Sequence, residues 1–200
     1  MSTASRAKHK LCRRIGQCLW NDPKCPSAKR PFPAGPHGKM RRSKLSTYGT
    51  LLQEKQKLRG FYGISEKQLE IAYHKAMAGT GQSGDKLLQS LETRLDALVF
   101  RAGFAKTIFA AKQYVNHGHI LLNGKRCDRA SCQVREGSVI TIDAAKSPAI
   151  AEVAKGINCT VPSYVEVDRE ALKATLVRVP AAEEIPSNVQ IMSVIEYYAR

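Results

Sequence analysis

The sequence predicts an α+β fold with three parts. A basic, largely irregular N-terminal arm comes first, then a helical segment, then a small unit of two helices packed on a short antiparallel sheet. Three observations predict it. Residues 1–60 hold 15 of the 32 Lys and Arg against two acids, Asp22 and Glu54, a net of +13, whereas residues 61–200 carry only +2. Apolar residues then recur at helical spacing from Ser46 to about residue 99. After Gly118 the period shortens to two, interrupted by Asn123-Gly124, a pair that adopts the type I′ turn of a hairpin.

Taken in order, residues 1–46 form the arm. Pro23, Pro26, Pro31, Pro33 and Pro36 forbid a continuous helix there, and Gly35 and Gly38 add turns. Such a segment buries too little apolar surface to order itself and is expected to order on a partner. The helical part spans 47–91. It opens after Ser46 with Tyr48, Leu51, Leu52 and Leu58 at helical spacing and Lys55, Lys57 and Arg59 on the polar side. Gly60 and Gly63 end that helix. Ser65-Glu66-Lys67-Gln68 has capping-box spacing before the stripe Leu69, Ala72, Tyr73, Ala76. After the break at 79–84, Leu87, Leu88, Leu91, Leu95, Leu98 and Val99 predict one further helix.

Residues 92–179 form the third part, with a core at 92–145 and a strand extension beyond it. Thr107 caps a helix through His117, and Gly118 supplies its left-handed end. A hairpin follows around Asn123-Gly124, then a strand from Ser138 to Ile142. Ser147–Lys155 reads as a short helix, Tyr164–Asp168 and Thr175–Val179 as strands, and Val189–Tyr198 as a closing helix.

A net charge of +15 favours a polyanionic partner. No run approaches the ~20 apolar residues that span a bilayer, so no membrane role is expected. The N-terminus lacks the apolar core of a secretory signal. Six cysteines in such a chain read as reduced thiols or metal ligands. His9, Cys12, Cys18 and Cys25 offer four zinc-type donors, but the second half lacks the close Cys pair of usual zinc motifs. Scattered free thiols are therefore expected here, with no metal or other cofactor. Cys127, Cys132 and Cys159 read as packing residues. The sequence contains no P-loop, no nucleophile elbow and no His-Glu-x-x-His, so no catalytic residue is expected.

The basic residues supply a surface instead. Arg94 and Arg101 lie seven apart on one helix side, and Lys112 and Asn116 four apart on the next helix. His117, His119, Asn123, Lys125 and Arg126 cluster at the turn that follows, with Lys106 before it. Cations for phosphates beside Asn and His for sugars and bases suit RNA. Arg13, Arg14, Lys29, Arg30, Lys39, Arg41, Arg42 and Lys44 allow the arm to follow a phosphate path, and Lys55, Lys57 and Arg59 on the next helix are further candidate RNA contacts. Trp20 and Phe32 suit either base stacking or protein packing.

Arg94-Leu95-Asp96, Gly103-Phe104-Ala105, His117-Gly118-His119-Ile120 and Asn123-Gly124-Lys125 resemble an RNA-binding motif. It is shared by the fourth small-subunit ribosomal protein and several RNA-modifying enzymes. Pro31-x-Pro33-x-Gly35-x-His37-Gly38, Glu54-Lys55-Gln56-Lys57-Leu58, Tyr62-Gly63 and the terminal Ile195-Glu196-Tyr197-Tyr198-x-Arg200 are similar to the ribosomal family itself. The chain departs from it at Ile108, Ser138 and Pro36. The resemblance implies that the RNA-binding unit is inserted within the helical domain, whose residues 47–91 are completed by 180–200. It implies no enzyme and no homo-oligomer, but a structural constituent of the small ribosomal subunit. It further implies primary binding to the 5′-domain junction of the ribosomal RNA, nucleation of assembly, and a place near the messenger RNA entry path. Contact with the fifth small-subunit protein, implicated in accuracy, and with other subunit proteins is implied too. RNA contact is carried over for Arg94, Lys112, Asn116, His117, His119, Asn123, Lys125 and the arm around His37. The ribosome is expected to be that of a bacterial cytoplasm or, as the alternative, of an organelle. Some members bind zinc through four N-terminal cysteines and others bind none; here a His and altered spacings stand in that place.

Overall fold

The computed structural model describes residues 9–20, 22–40, 44–79, 81–157 and 159–199. The chain forms two compact units, one of Met1–His74 with Ser187–Arg200 and one of Lys75–Pro186. Residues 75–91, grouped on sequence with the helical part, thus cluster with the unit that carries the sheet.

In the first unit, α1 (Lys10–Ile15) lies against α2 (Thr47–Phe61), which packs along α8 (Ile191–Ala199). Ser46 caps α2, its hydroxyl accepting the Gly49 N–H at 3.2 Å. The capping box before α3 (Glu66–Met77) forms in both directions: Gln68 N–H donates to Ser65 Oγ, and Ser65 N–H donates to Gln68 Oε1. Leu51, Leu58, Leu69, Tyr73 and Val194 fill the core between these helices.

The described part of the arm is more ordered than its composition suggests. Arg13 donates to the carbonyls of Phe32 (3.1 Å) and Pro33 (3.2 Å), and the Trp20 indole donates to the Phe61 carbonyl at 3.1 Å. Gly38 is buried in a tight helical turn, Pro36–Lys39, where a Cβ would collide with the Pro33 carbonyl. The expectation that the arm orders only on a partner is corrected for these residues. Side-chain donors satisfying loop carbonyls replace the apolar burial that the composition lacks.

The terminal motif acts as a staple on α2. Lys55 is 5% exposed, with Nζ 2.6 Å from Glu66 and 4.0 Å above the Tyr197 ring. Tyr198 donates its hydroxyl to Glu66 at 3.1 Å and stacks on Tyr73. Burial disfavours the Lys55 ammonium, but Glu66 and Tyr197 outweigh it and hold its pKa above the ordinary value. Glu54 accepts from Lys57 Nζ and from the Gln190 backbone N–H. Two of the sequence signatures, 54–58 and 195–198, are therefore two sides of one contact.

In the second unit, α4 (Ser83–Glu92), α5 (Leu95–Arg101) and α6 (Ile108–Asn116) precede the sheet. The single helix expected through residue 99 is broken at Thr93-Arg94. Arg94 is extended and bridges Gln133, Leu95 N–H donates to the Cys132 carbonyl, and the Thr93 hydroxyl hydrogen-bonds Gln133. These long-range partners remove the donors that would have continued α4. The sheet orders its five strands β2-β1-β3-β5-β4, all antiparallel neighbours, so the C-terminal extension joins the same sheet as the hairpin. The strands are β1 (Ile120–Leu122), β2 (Lys125–Arg126), β3 (Val139–Ile142), β4 (Val165–Asp168) and β5 (Lys173–Leu176).

The strand expected at Thr175–Val179 forms as β5 at Lys173–Leu176, starting two residues earlier and ending three earlier. Ala174 and Leu176 point into the core, and the ladder ends when the Glu136 carboxylate takes the Val179 N–H. Val177 and Val179 are left exposed. The helix α7 (Pro148–Lys155) adds Ala151 and Ala154 to a continuous core with Leu95, Leu98, Ala111, Val115, Ile120 and Ile140. Among the described residues no helix is long and apolar enough to cross a membrane.

Candidate nucleic-acid interface

The end of α6 and the hairpin build one polar surface on the second unit. Thr107 caps α6, accepting the Ala110 N–H at 3.1 Å, which sets the phase that buries Ile108, Ala111 and Val115 and leaves Asn116 outward. Gly118 follows at φ +73°; a side chain there would both strain the backbone and displace the Arg126 guanidinium, which lies directly over it. The Arg126 guanidinium is thereby held over the turn between His117 and His119, whose rings are 5.9 Å apart. The two-residue turn Asn123-Gly124, at φ 51° and 76°, pairs Leu122 with Lys125. Asn123 Oδ1 accepts the Val139 N–H at 2.8 Å, so that side chain locks the hairpin to β3. Asn116, His117, Lys125 and Arg126 are exposed, as is Lys106 before α6.

Other cations expected on this face are engaged inside the protein. Arg94 and Arg101 do not share a helix side, because Arg94 is the cap residue before α5. Arg94 forks onto Asp96 at 3.0 and 2.8 Å, with the two residues 5% and 1% exposed. Arg101 forks onto the fully buried Glu92, which also accepts the Tyr164 hydroxyl at 2.7 Å. Burial and the Glu92 charge push the Tyr164 hydroxyl far above its ordinary pKa. Lys112 is half-buried, and desolvation lowers its pKa while the nearby Asp96 opposes that shift. A cation held in a buried fork organises the core rather than standing free for phosphate. Spacing alone does not distinguish the two, because Glu92 and Tyr164 lie 72 residues apart in sequence. Glu92, Asp96 and Tyr164 are the residues that sequence reasoning missed.

In the first unit, Lys55, Lys57 and Arg59 are likewise paired, with Glu66, Glu54 and Glu66 respectively. Arg13, Lys29 and Arg30 line a groove of about 470 Å³ together with Lys24 and Cys25. Arg14, His37, Lys39 and Lys44 are exposed, and Lys39 lies 5.9 Å above the Phe32 ring, which Arg13 covers as well. Phe32 and Trp20 therefore both make contacts within the protein. Arg41, Arg42 and Arg200 lie outside the described residues. A second groove of about 630 Å³ in the second unit is lined by Lys75, Lys86, Thr93, Gln133 and Arg135, cations that the motif did not single out.

The arm thiols are not scattered. His9, Cys12, Cys18 and Cys25 bring one donor atom each to within 4.8 Å of one another. Tetrahedral zinc with Zn–S of about 2.3 Å sets its ligand atoms about 3.8 Å apart, so the set closes with sub-ångström movement. Burial pushes the Cys12 thiol up to about 12. Burial also raises Cys25, but hydrogen bonds from Ser27, Cys18 and Cys12 outweigh it and leave that thiol below its ordinary value. His9 Nδ1 is buried with no hydrogen-bond partner. A partly buried donor set with one orphaned nitrogen fits a divalent metal that takes thiolate and imidazole ligands.

Known proteins match this sequence along its length. Residues 4–92 match the family model described as "Ribosomal protein S4/S9 N-terminal domain", and residues 93–140 match the "S4 domain". Relatives named "Small ribosomal subunit protein uS4" are 45% identical in Methylorubrum populi, 43% in Brucella abortus and 43% in Paracoccus denitrificans. In each case 100% of both chains is covered. With two consecutive domain matches and full-length relatives at this identity, the chain belongs to the small ribosomal subunit protein uS4 family.

Proposed function

We propose that this member of a structural, non-enzymatic ribosomal family is a primary binder of small-subunit ribosomal RNA that nucleates assembly of the subunit body at the 5′-domain junction. The observation that carries the reading is the exposed set Asn116, His117, Lys125 and Arg126, held in one place by Gly118 and the locked Asn123 turn. Cations meet phosphates there while Asn and His address sugars and base edges. The groove of Arg13, Lys24, Lys29 and Arg30 adds an arm contact. Arg94, Arg101, Lys55, Lys57 and Arg59 serve by shaping the two units, and Lys112 contributes from the rim.

The test is binding of the full chain to naked small-subunit ribosomal RNA across a salt series. Saturable binding to the 5′ region with a steep salt slope is expected. Lys125→Ala with Arg126→Ala is expected to weaken it and to reduce the slope by about one for each cation removed. A slope and affinity unchanged by the double substitution would rule the surface out.

Contact with the fifth small-subunit protein, and through it an influence on accuracy, is the reading for the first unit. Leu45 and Tyr48 at the start of α2 are 58% and 56% exposed, apolar surface of the kind a protein neighbour covers. A place near the messenger RNA entry path rests on family resemblance. So does a bacterial cytoplasmic ribosome, with an organellar one as the alternative; the relatives named above are bacterial. His9, Cys12, Cys18 and Cys25 are proposed to hold a structural zinc ion that ties α1 to the loop through Cys25. Four protein donors leave no open coordination position, so the ion serves order rather than catalysis.

A further inference from the structure

We infer that Asp22 is the positioning residue of the arm's donor cluster, holding His9 so that its Nδ1 becomes the fourth metal ligand beside Cys12, Cys18 and Cys25. The inference rests on the zinc reading above. It goes beyond it by assigning the ligating nitrogen and the residue that selects it.

A neutral imidazole has one N–H donor and one lone-pair acceptor. His9 Nε2 lies 3.5 Å from Asp22 Oδ2. An ionised carboxylate only accepts, so Nε2 carries the proton and Nδ1 presents its lone pair. Among the described residues, Nδ1 is the one buried side-chain polar atom without a hydrogen-bond partner. Buried polar atoms in folded proteins are ordinarily satisfied, which makes this an atom awaiting a ligand. The His9 ring offers one nitrogen within 4.8 Å of the three thiols, and a metal bound through the unpaired Nδ1 satisfies all four donors at once.

The surrounding residues fix this choice. Asp22 Oδ1 accepts the Lys24 N–H at 2.9 Å, which leaves Oδ2 for His9. The Asp22 carbonyl accepts the Cys25 N–H at 3.0 Å and meets the Cys18 thiol at 4.0 Å. One residue therefore shapes the loop of two thiol donors with its backbone and orients the imidazole with its side chain. Trp20 meets the His9 ring edge to face at 5.9 Å and is itself tied to the Phe61 carbonyl, which keeps the ring from flipping. A carboxylate behind a ligating histidine fixes its tautomer and strengthens it as a donor.

The test uses the full chain with Zn(II), its affinity measured by chelator competition, and with Co(II), whose absorption reports thiolate and imidazole ligation. Asp22→Asn keeps the oxygen that accepts the Lys24 N–H but removes the charge facing His9. It is expected to weaken zinc binding about tenfold. In a His9→Cys background the same substitution is expected to change nothing, because no imidazole remains to orient. Nitrogen NMR of the zinc-loaded chain is expected to show His9 bound through Nδ1 with a proton on Nε2. An equal loss in both backgrounds would mean that Asp22 acts only through the loop and would overturn the inference while leaving the metal reading intact. So would no loss in either, or ligation through Nε2. Absence of stoichiometric zinc binding by the unsubstituted chain would overturn the metal reading itself, and this inference with it.

Discussion

Replacing Arg94 by alanine is expected to destabilise the second unit rather than to delete a contact with RNA. The guanidinium makes two hydrogen bonds to Asp96, at 3.0 and 2.8 Å, and both residues are withdrawn from water. Its removal leaves the Asp96 carboxylate buried, with the Ala97 N–H as its remaining hydrogen bond and the Lys112 charge nearby. Breaking a buried pair from one side costs about 3–5 kcal/mol, and the Lys112 charge puts this case at the lower end, about 3 kcal/mol. For a protein of this size that lowers the midpoint of thermal unfolding by about 6–12 °C. Arg94→Gln combined with Asp96→Asn removes both charges but keeps an acceptor for the Ala97 N–H. It is expected to recover most of that loss. The assay is thermal unfolding of the three proteins, followed by RNA binding at a temperature where all are folded. If the neutral pair is stable and binds RNA like the parent, Arg94 is a core residue. If Arg94→Ala unfolds normally but loses RNA affinity, the buried-fork reasoning is wrong.

Three further outcomes are expected. Gly38→Ala forces a methyl group against the Pro33 carbonyl and is expected to cost about 1–3 kcal/mol, seen as faster hydrogen exchange across residues 32–40; unchanged exchange would refute the close approach. Lys55→Ala removes a buried ammonium from Glu66 and Tyr197, but Glu66 is partly exposed and can rehydrate. A loss of about 1–2 kcal/mol is therefore expected, and a loss too small to measure in thermal unfolding would count against the staple. Glu184 is held at about 2 by the Arg178 guanidinium and the Ala181 N–H, below the ~4.3 of an unperturbed glutamate. Because the folded value is depressed, its contribution to stability is present above about pH 4.3 and is lost as the pH falls through 2. A carboxyl NMR titration with a midpoint near 4 would contradict the ion pair.

The elements specified by short-range chemistry were legible in the sequence. Ser46, the Ser65–Gln68 box, Thr107, Gly118 and Asn123-Gly124 each set a helix end or turn within four residues, and each forms as its chemistry dictates. The apolar periods likewise select the buried faces of α3 and α6. Basic charge concentrated in residues 1–60, together with the motif residues, pointed to the family without coordinates. Tertiary structure decided which of those charges are free. Periodicity carries no record of Tyr164, which reaches across 72 residues to the Glu92 carboxylate that holds Arg101, or of the Gln133 bridge that breaks the third predicted helix before Arg94. Nor does spacing show that four donors in an arm without a close Cys pair converge within 4.8 Å. A cap or a turn is satisfied locally and so can be read in one dimension. An ion pair, a ladder's end and a metal-ligand set depend on which distant segments the fold brings together, and only the three-dimensional packing supplies that.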